Sequence, residues 1–189
     1  MRITEAKAQE NRRRVVAKAS ELFRKHGFDG IGVGDLMKAA GFTHGGFYNH
    51  FDSKEALSAE ALDEAFRALD AERARAPNLD DLLKAYLSAS SRRTPERSCP
   101  AAALAGDVSR QPEAVKAVFA DGLERIIASI AEKLPSDEDA RPVAIDLFAR
   151  MAGAMMLARA TPDDSSLGEE ILEVVLRGCL DELAKRRAA

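Results

Sequence analysis

Residues 33–54 read VGDLMKAAGFTHGGFYNHFDSK, and their pattern predicts the local structure of the first third of the chain. Four apolar side chains recur at the spacing of one helix face: Val33, Leu36, Met37 and Ala40. Gly32 is a suitable N-cap for this helix, and Gly41 predicts its end, because glycine tolerates the backbone of a helix C-terminus. The stretch therefore begins as a short helix followed by a tight glycine turn.

A second short helix is expected after the turn, over residues 44–50, with Thr43 as its N-cap. Phe42, Phe47 and Phe51 are spaced to pack it against its neighbours. This leaves a face of free polar side chains: Thr43, His44, Tyr48, Asn49 and His50. Two short helices joined by a glycine turn are typical of a DNA-reading helix-turn-helix. The motif also needs a free polar face and a nearby group that binds phosphate, and Lys54 can supply the latter.

Alternatives remain for several of these residues. Tyr48 could be part of the core. Arg12–Arg14 could form a solvated face, or one of them, for which we choose Arg13, could contact the phosphate backbone. His44 and His50 lie six residues apart and thus on different helix faces, so we expect no metal site there.

Composition and charge are compatible with this interpretation. The 189 residues are 46% hydrophobic and 31% charged, as in soluble globular proteins. No stretch approaches the ~20 apolar residues of a membrane span, and the N-terminus lacks the apolar core of a signal peptide, so we expect a cytoplasmic protein. The net charge of −3 hides a split of +4 over residues 1–54 and −7 over residues 55–189. A basic N-terminal segment followed by an acidic remainder indicates a polyanionic partner, although random scatter of surface charge is an alternative.

Helical periodicity and helix-ending residues recur along the rest of the chain, and no segment indicates a strand. The sequence predicts an all-α protein of about nine helices. Asp52 with Glu55 resembles a capping box for the helix that follows the turn. We predict an N-terminal three-helix helix-turn-helix domain over residues 1–52 and a C-terminal helical bundle over 53–189. The helices outside the turn are expected at Ala8–His26, Asp52 or Ser53–Arg75, Leu79–Ser91, Ala101–Ser109, Pro112–Leu134, Pro142–Ala160 and Ser166–Arg187.

The run GFDGIGVGDLMKAAGFTHGGFYNHFDSKEAL, residues 27–57, resembles the DNA-binding domain of the TetR/AcrR family of repressors. The likeness is close over about residues 10–62 and is one of layout elsewhere. It implies a homodimer on a palindromic double-stranded DNA operator, and a C-terminal domain that binds a small-molecule inducer. It places base or phosphate contacts on Thr43, His44, Gly45, Gly46, Tyr48, Asn49, His50 and Lys54.

The chain departs from the family pattern at Gly32 and Gly34, where many members carry longer polar side chains. Gly45 and Gly46 also bring no side chain to the DNA. We therefore expect direct readout to depend on few residues, with DNA shape contributing much of the specificity.

The last two helices are apolar on more than one face, which indicates burial against a second copy of the chain. The resemblance implies a four-helix dimer interface here, and a purely internal core is the alternative. The residues expected at the interface are Phe148, Met156, Ile171, Val175, Cys179 and Leu183.

An effector pocket is harder to place, since each candidate wall residue could equally be plain core. The candidates are Phe66, Tyr86, Cys99, Phe119, Leu123, Met151 and Met155.

Cys99 lies just before a predicted helix, with Arg97 nearby. Both features would lower the pKa of its thiol. The segment is similar to the cysteine-containing stretch of electrophile-sensing repressors of the N-ethylmaleimide reductase type, and also to relatives in which the cysteine only packs. A redox-sensing repressor acting through Cys99 is thus an alternative function, whereas Cys179 is expected in the core. Two cysteines are too few for a disulfide framework, and we expect no cofactor.

An enzyme is not indicated. A helical carboxylate–metal protein needs a Glu three residues before a His, and none of the three histidines has one. No Walker, zincin or Ser/Cys–His pattern is present. An architectural DNA-binding protein is a further alternative, but it would not need about 135 residues of additional helix.

Overall fold

The computed structural model describes residues 5–134 and 139–188. All regular structure in these two ranges is helical, which confirms the all-α prediction. The elements in chain order are α1 (Glu5–His26), α2 (Val33–Ala39), a 3₁₀ helix His44–Asn49, α3 (Lys54–Arg75), α4 (Leu79–Tyr86), α5 (Ala89–Arg93), a 3₁₀ helix Pro95–Arg97, α6 (Pro100–Val108), α7 (Glu113–Ala131), α8 (Ala140–Arg159) and α9 (Ser166–Ala188). We call the 3₁₀ helix His44–Asn49 the turn helix.

Helix α1 begins at Glu5 rather than Ala8, and α7 ends at Ala131 rather than Leu134. Two further predictions, one helix and one cap, are wrong for local reasons. The single helix expected over Leu79–Ser91 is divided into α4 and α5, because the hydroxyl of Ser88 accepts a hydrogen bond from the backbone N–H of Ser91 at 3.1 Å and so starts a new helix. The capping box at Asp52 does not form. Ser53 is the N-cap of α3, and its hydroxyl accepts from the Ala56 N–H at 3.1 Å.

The N-terminal bundle is built on α1 and α3. Val15, Ala19 and Phe23 follow each other on the buried face of α1, which packs against α3 and also reaches α6. The spacing of four residues places these side chains on one stripe of the helix, so a single face enters the core.

Helix α3 continues from this bundle into the body. It has 22 residues, about 33 Å at 1.5 Å per residue. In its middle, Phe66 lies directly against Gly122 of α7, where a Cβ atom would approach the Phe66 ring to 2.4 Å. The absence of a side chain at Gly122 therefore sets the close packing of α3 on α7.

The body is completed by α8, which packs against α7 and α6, and by α9, which packs against α8. No helix within the described ranges combines the length and the apolar composition that crossing a membrane requires.

Candidate functional site

The glycine turn forms as the sequence predicts. Gly32 is the N-cap of α2, and Gly41 follows its C-terminus with a φ of +84°. The N–H of Phe42 donates to the Met37 carbonyl at 2.8 Å, and the N–H of Gly41 donates to the Lys38 carbonyl at 3.0 Å. This pair of bonds is a Schellman motif, which ends α2 and turns the chain sharply into the next element.

The turn helix is held by two buried aromatic rings. Phe47 and Phe51 are almost completely buried and pack against each other with their ring centroids 5.5 Å apart, while Phe42 is half-buried beside the core. Thr43 occupies the N-cap position, but its side chain makes no capping hydrogen bond. The element is a 3₁₀ helix ending at Asn49, shorter and tighter than the α-helix expected over residues 44–50.

The polar side chains of the turn helix are brought together on its outer side. Thr43, His44, Gly45 and Asn49 are exposed, whereas Gly46 and His50 are half-buried. Tyr48 is 69% exposed, with its ring edge-on to Phe47, which rules out the alternative that it is part of the core. Lys54 is half-buried. Because it is the first residue of α3, it lies at the N-terminus, which is the positive end of the helix dipole.

The three consecutive arginines of α1, Arg12–Arg14, divide into two roles. The Arg12 guanidinium lies 4.4 Å from the centre of the Phe51 ring, donates to the His50 carbonyl and pairs with Glu60 of α3. It therefore connects the end of the turn helix to both long helices of the bundle. Arg13, in contrast, is exposed on the surface of α1.

Arg14 acts in the same way on the other side of the turn. Its guanidinium lies 5.1 Å from the centre of the Phe42 ring and donates to the Ala40 carbonyl at 3.4 Å. The sequence reasoning did not identify Arg12 and Arg14 as supports. A signal was available for Arg12, because it precedes Val15 and Ala19 by three and seven residues and so lies along the buried stripe.

A cavity of about 450 Å³ lies in the body, below the N-terminal bundle. Four of the expected pocket residues line it: Tyr86, Cys99, Met151 and Met155. Phe66 does not, since it is buried against Gly122, and Phe119 and Leu123 also lie outside the lining. Phe148, expected at the dimer interface, is buried and lines the cavity instead.

The expected lowering of the Cys99 pKa is wrong. Cys99 is the N-cap residue of α6 and so stands at the helix terminus as predicted. Its thiol is nevertheless buried, and this desolvation raises the pKa of Cys99, outweighing the opposite effects of the helix N–H groups, the Tyr86 hydroxyl and the charge of Arg73. The thiol is therefore held in its neutral form.

The expected dimer residues are split between surface and interior. Met156 is exposed, and Ile171 and Val175 are half-buried, but Cys179 and Leu183 are buried within the chain's own core. On α9, the inward face carries Gly168, Leu172, Cys179 and Leu183. The outward face carries Leu167, Ile171, Val174 and Gly178, and two of the four residues expected at the interface from α9 thus face the chain's own core.

Comparison with known proteins identifies the N-terminal part. Residues 15–61 match the family model "Bacterial regulatory proteins, tetR family". The transcriptional repressor DhaR of Mycobacterium sp. (strain GP1) is 39% identical over 70 residues, which is 37% of this chain and 34% of DhaR. The chain thus spans about a third of the length of this relative. The regulator TtgR of Pseudomonas putida is 26% identical over 187 residues, covering 88% of this chain and 89% of TtgR.

A solved structure extends the likeness to the whole fold. The reduced form of Escherichia coli NemR superposes with a TM-score of 0.75 at 23% identity, covering 91% of this chain and 96% of NemR. Because that identity is low, it supports the fold and not a shared ligand. The helix-turn-helix of residues 33–51 lies within the family match, so residues 15–61 form a DNA-binding domain of the TetR type, and the chain as a whole shares the fold of the NemR structure.

Proposed function

We propose that this protein is a cytoplasmic repressor that binds a palindromic DNA operator as a homodimer and leaves it when a small molecule enters the cavity of the body. The observation that carries the proposal is the turn helix, whose outer side is polar and exposed while Phe47 and Phe51 fix its inner side. Side chains fixed in this way can enter the major groove without further ordering of the backbone.

The proposed contacts fall into two kinds. His44, Tyr48 and Asn49 are exposed and can reach base edges, with Thr43 and His50 beside them. Lys54 and Arg13 are suited to phosphates, which fix the position of the protein but carry no sequence information. Gly45 and Gly46 allow the backbone to approach the DNA closely.

Two apolar stripes support the proposed homodimer. On α8 the outward residues Ile145, Ala149 and Met156 are exposed, and on α9 Leu167 and Val174 are exposed. An added Cβ at Gly153 or Gly178 would meet nothing within 4 Å. Long apolar side chains separated by small residues suit close helix packing, and a two-fold pair would match the two half-sites of an operator.

Two connections could carry a signal from the cavity to the DNA-binding end. Helix α3 begins at Lys54 and reaches the cavity at Leu69 and Arg73. From α1, the Arg24 guanidinium donates to the carbonyl of Ser98, a cavity residue, at 2.9 Å. A ligand that displaces the wall near Ser98 would therefore act directly on the helix that supports the turn helix.

The test measures binding to the DNA upstream of the protein's own gene by fluorescence anisotropy at several salt concentrations. We expect tight binding at 50 mM salt that weakens by about 10³–10⁵ at 200 mM if six to ten phosphates are contacted. Asn49→Ala should lower affinity for the specific site by about 1–3 kcal/mol and leave non-specific binding unchanged. Lys54→Met should weaken both.

Lys116→Met is the matched control, because it removes one positive charge from α7 in the body. It should leave both affinities unchanged. Failure of the wild-type protein to bind this DNA even at 50 mM salt would count decisively against the proposed function.

A further inference from the structure

The cavity wall contains a buried guanidinium whose hydrogen-bonding capacity is only partly used by the described residues. Arg73 lines the cavity and is only 6% exposed. One of its terminal nitrogens pairs with Asp70, but Nε and Nη1 are buried and have no hydrogen-bond partner among the described residues. Burial lowers the pKa of Arg73, yet a guanidinium stays charged in proteins, so these donors remain in need of an acceptor.

The ion pairs around Arg73 do not fully neutralise its positive charge. Asp70 pairs with Arg73 and also with Arg125, whose Nε lies 3.0 Å from the second carboxylate oxygen. Arg125 and Arg67 in turn share Asp63. Asp70 thus divides its negative charge between Arg73 and Arg125, and it does not neutralise Arg73 alone.

Tyr86 adds a second donor at the same place. Its hydroxyl is buried beside the thiol of Cys99, a weak partner, and lacks a conventional hydrogen bond among the described residues. The charge of Arg159 acts on both Tyr86 and Cys99, and the Nη1 of Arg159 is likewise buried without an acceptor among the residues described. Leaving such donors unpaired is unfavourable, more so for charged groups, and an anion in the cavity would relieve this at Arg73 and Tyr86.

The rest of the cavity wall is apolar, and its volume of about 450 Å³ falls within the roughly 300–1,000 Å³ of small-molecule sites. The apolar side chains in the wall are Leu69, Leu82, Ile126, Ile130, Phe148, Met151 and Met155. A ligand that fills this space must therefore be largely hydrocarbon or aromatic.

The other charged residues of the lining are exposed and of both signs. Glu72 and Asp81 are acidic, and Arg75 and Arg97 are basic. Water and salt screen these charges, and they nearly cancel. The buried Arg73 consequently determines which sign of charge the cavity prefers in a ligand.

We propose that the cavity binds an organic carboxylate, with its apolar body between α4, α7 and α8 and its carboxylate accepting hydrogen bonds from Arg73 and Tyr86. This inference rests on the proposed function in one respect: the carboxylate is taken to be the effector. A charge-assisted bond to a buried guanidinium is about twice as strong as a neutral one, so a neutral analogue of the same shape should bind much less tightly.

The test uses isothermal titration calorimetry of the full-length protein with three matched pairs: octanoate and octanamide, dodecanoate and dodecanamide, and 2-naphthoate and 2-naphthamide. We expect at least one carboxylate to bind, and to bind about tenfold or more tightly than its amide. Absence of binding by all three carboxylates, or an amide that equals its carboxylate in every pair, overturns the proposal.

Arg73→Met should remove the preference for the carboxylate while keeping the apolar contacts. Lys84→Met, which removes a positive charge from an exposed position of α4 outside the cavity lining, is the control and should keep it. If circular dichroism shows that Arg73→Met does not fold, Tyr86→Phe replaces it, with an expected loss of about threefold to tenfold in carboxylate affinity. A preference that survives these substitutions refutes the assignment of the carboxylate site.

Operator binding is measured separately on the same protein. A chain that binds its operator but no carboxylate retains the proposed function and loses this inference. A chain that binds carboxylates through Arg73 but no DNA retains the carboxylate site and loses the proposed function.

Discussion

Burial decides what the thiol of Cys99 can do, although its position at a helix N-terminus suggests high reactivity. The side chain lies behind Tyr86 in the cavity wall, and desolvation raises its pKa. Because the thiolate is the nucleophile, a raised pKa means that less of the reactive form is present at any given pH. This makes direct attack on electrophiles at neutral pH a poor basis for sensing.

We therefore expect iodoacetamide to alkylate Cys99 more slowly in the folded protein than in the urea-unfolded chain at pH 7.5. The rate should rise with pH over a higher range in the folded protein, since its thiol loses the proton later. Peptide-resolved mass spectrometry separates Cys99 from Cys179, whose pKa burial also raises. Faster labelling of Cys99 in the folded state at pH 7.5 would instead revive the redox-sensing alternative.

Among the elements, the turn helix depends on supports that lie outside it. It has six residues and few hydrogen bonds of its own, so its position is set by the buried rings and by Arg12. Arg12 and Glu60 are both more than a third exposed, so their ion pair contributes little, and most of the effect comes from the bond to the His50 carbonyl and the contact with Phe51.

We expect Arg12→Met to lower the free energy of unfolding by about 1 kcal/mol and to weaken operator binding more than this loss alone would, because the end of the turn helix is released. Arg13→Met is the matched control one residue along. It should change the free energy of unfolding by less than about 0.5 kcal/mol. It should also reduce the slope of log affinity against log salt concentration by about one unit, as expected when one phosphate contact is lost. Urea unfolding and anisotropy titrations distinguish the two. Equal effects of both variants on stability would refute the supporting role of Arg12.

The sequence predicted the elements whose signal is local. The helix ending at Gly41 and the polar outer side of the turn helix follow from glycine geometry and short-range spacing. What it missed depends on contacts distant in the chain. Phe66 could not be assigned to the core rather than the cavity without knowing that it meets Gly122, and the burial of Cys99 depends on Tyr86. Serine caps at Ser53 and Ser88 were visible in the sequence but competed with other plausible residues.

For the molecule as a whole, the two outward stripes of α8 and α9 are the surface on which the proposed homodimer depends. Val174 is 57% exposed in the centre of the α9 stripe. Cys179 and Leu183, by comparison, face the chain's own core and contribute to folding rather than to a surface. A charge at Val174 would thus be tolerated in a monomer but would be buried without a partner in a dimer.

We expect Val174→Asp to convert the protein from a dimer to a monomer in analytical ultracentrifugation while its circular dichroism spectrum is retained. A monomer contacts one half-site, so affinity for the palindromic operator should fall by about two orders of magnitude or more, whereas affinity for a single half-site should change little. Ala117→Asp is the control, because it adds the same charge to the exposed surface of α7. It should leave both the molecular mass in solution and the operator affinity unchanged. If Val174→Asp remains a dimer with full operator affinity, the two copies must meet through another surface, and the outward stripes of α8 and α9 are then not the interface.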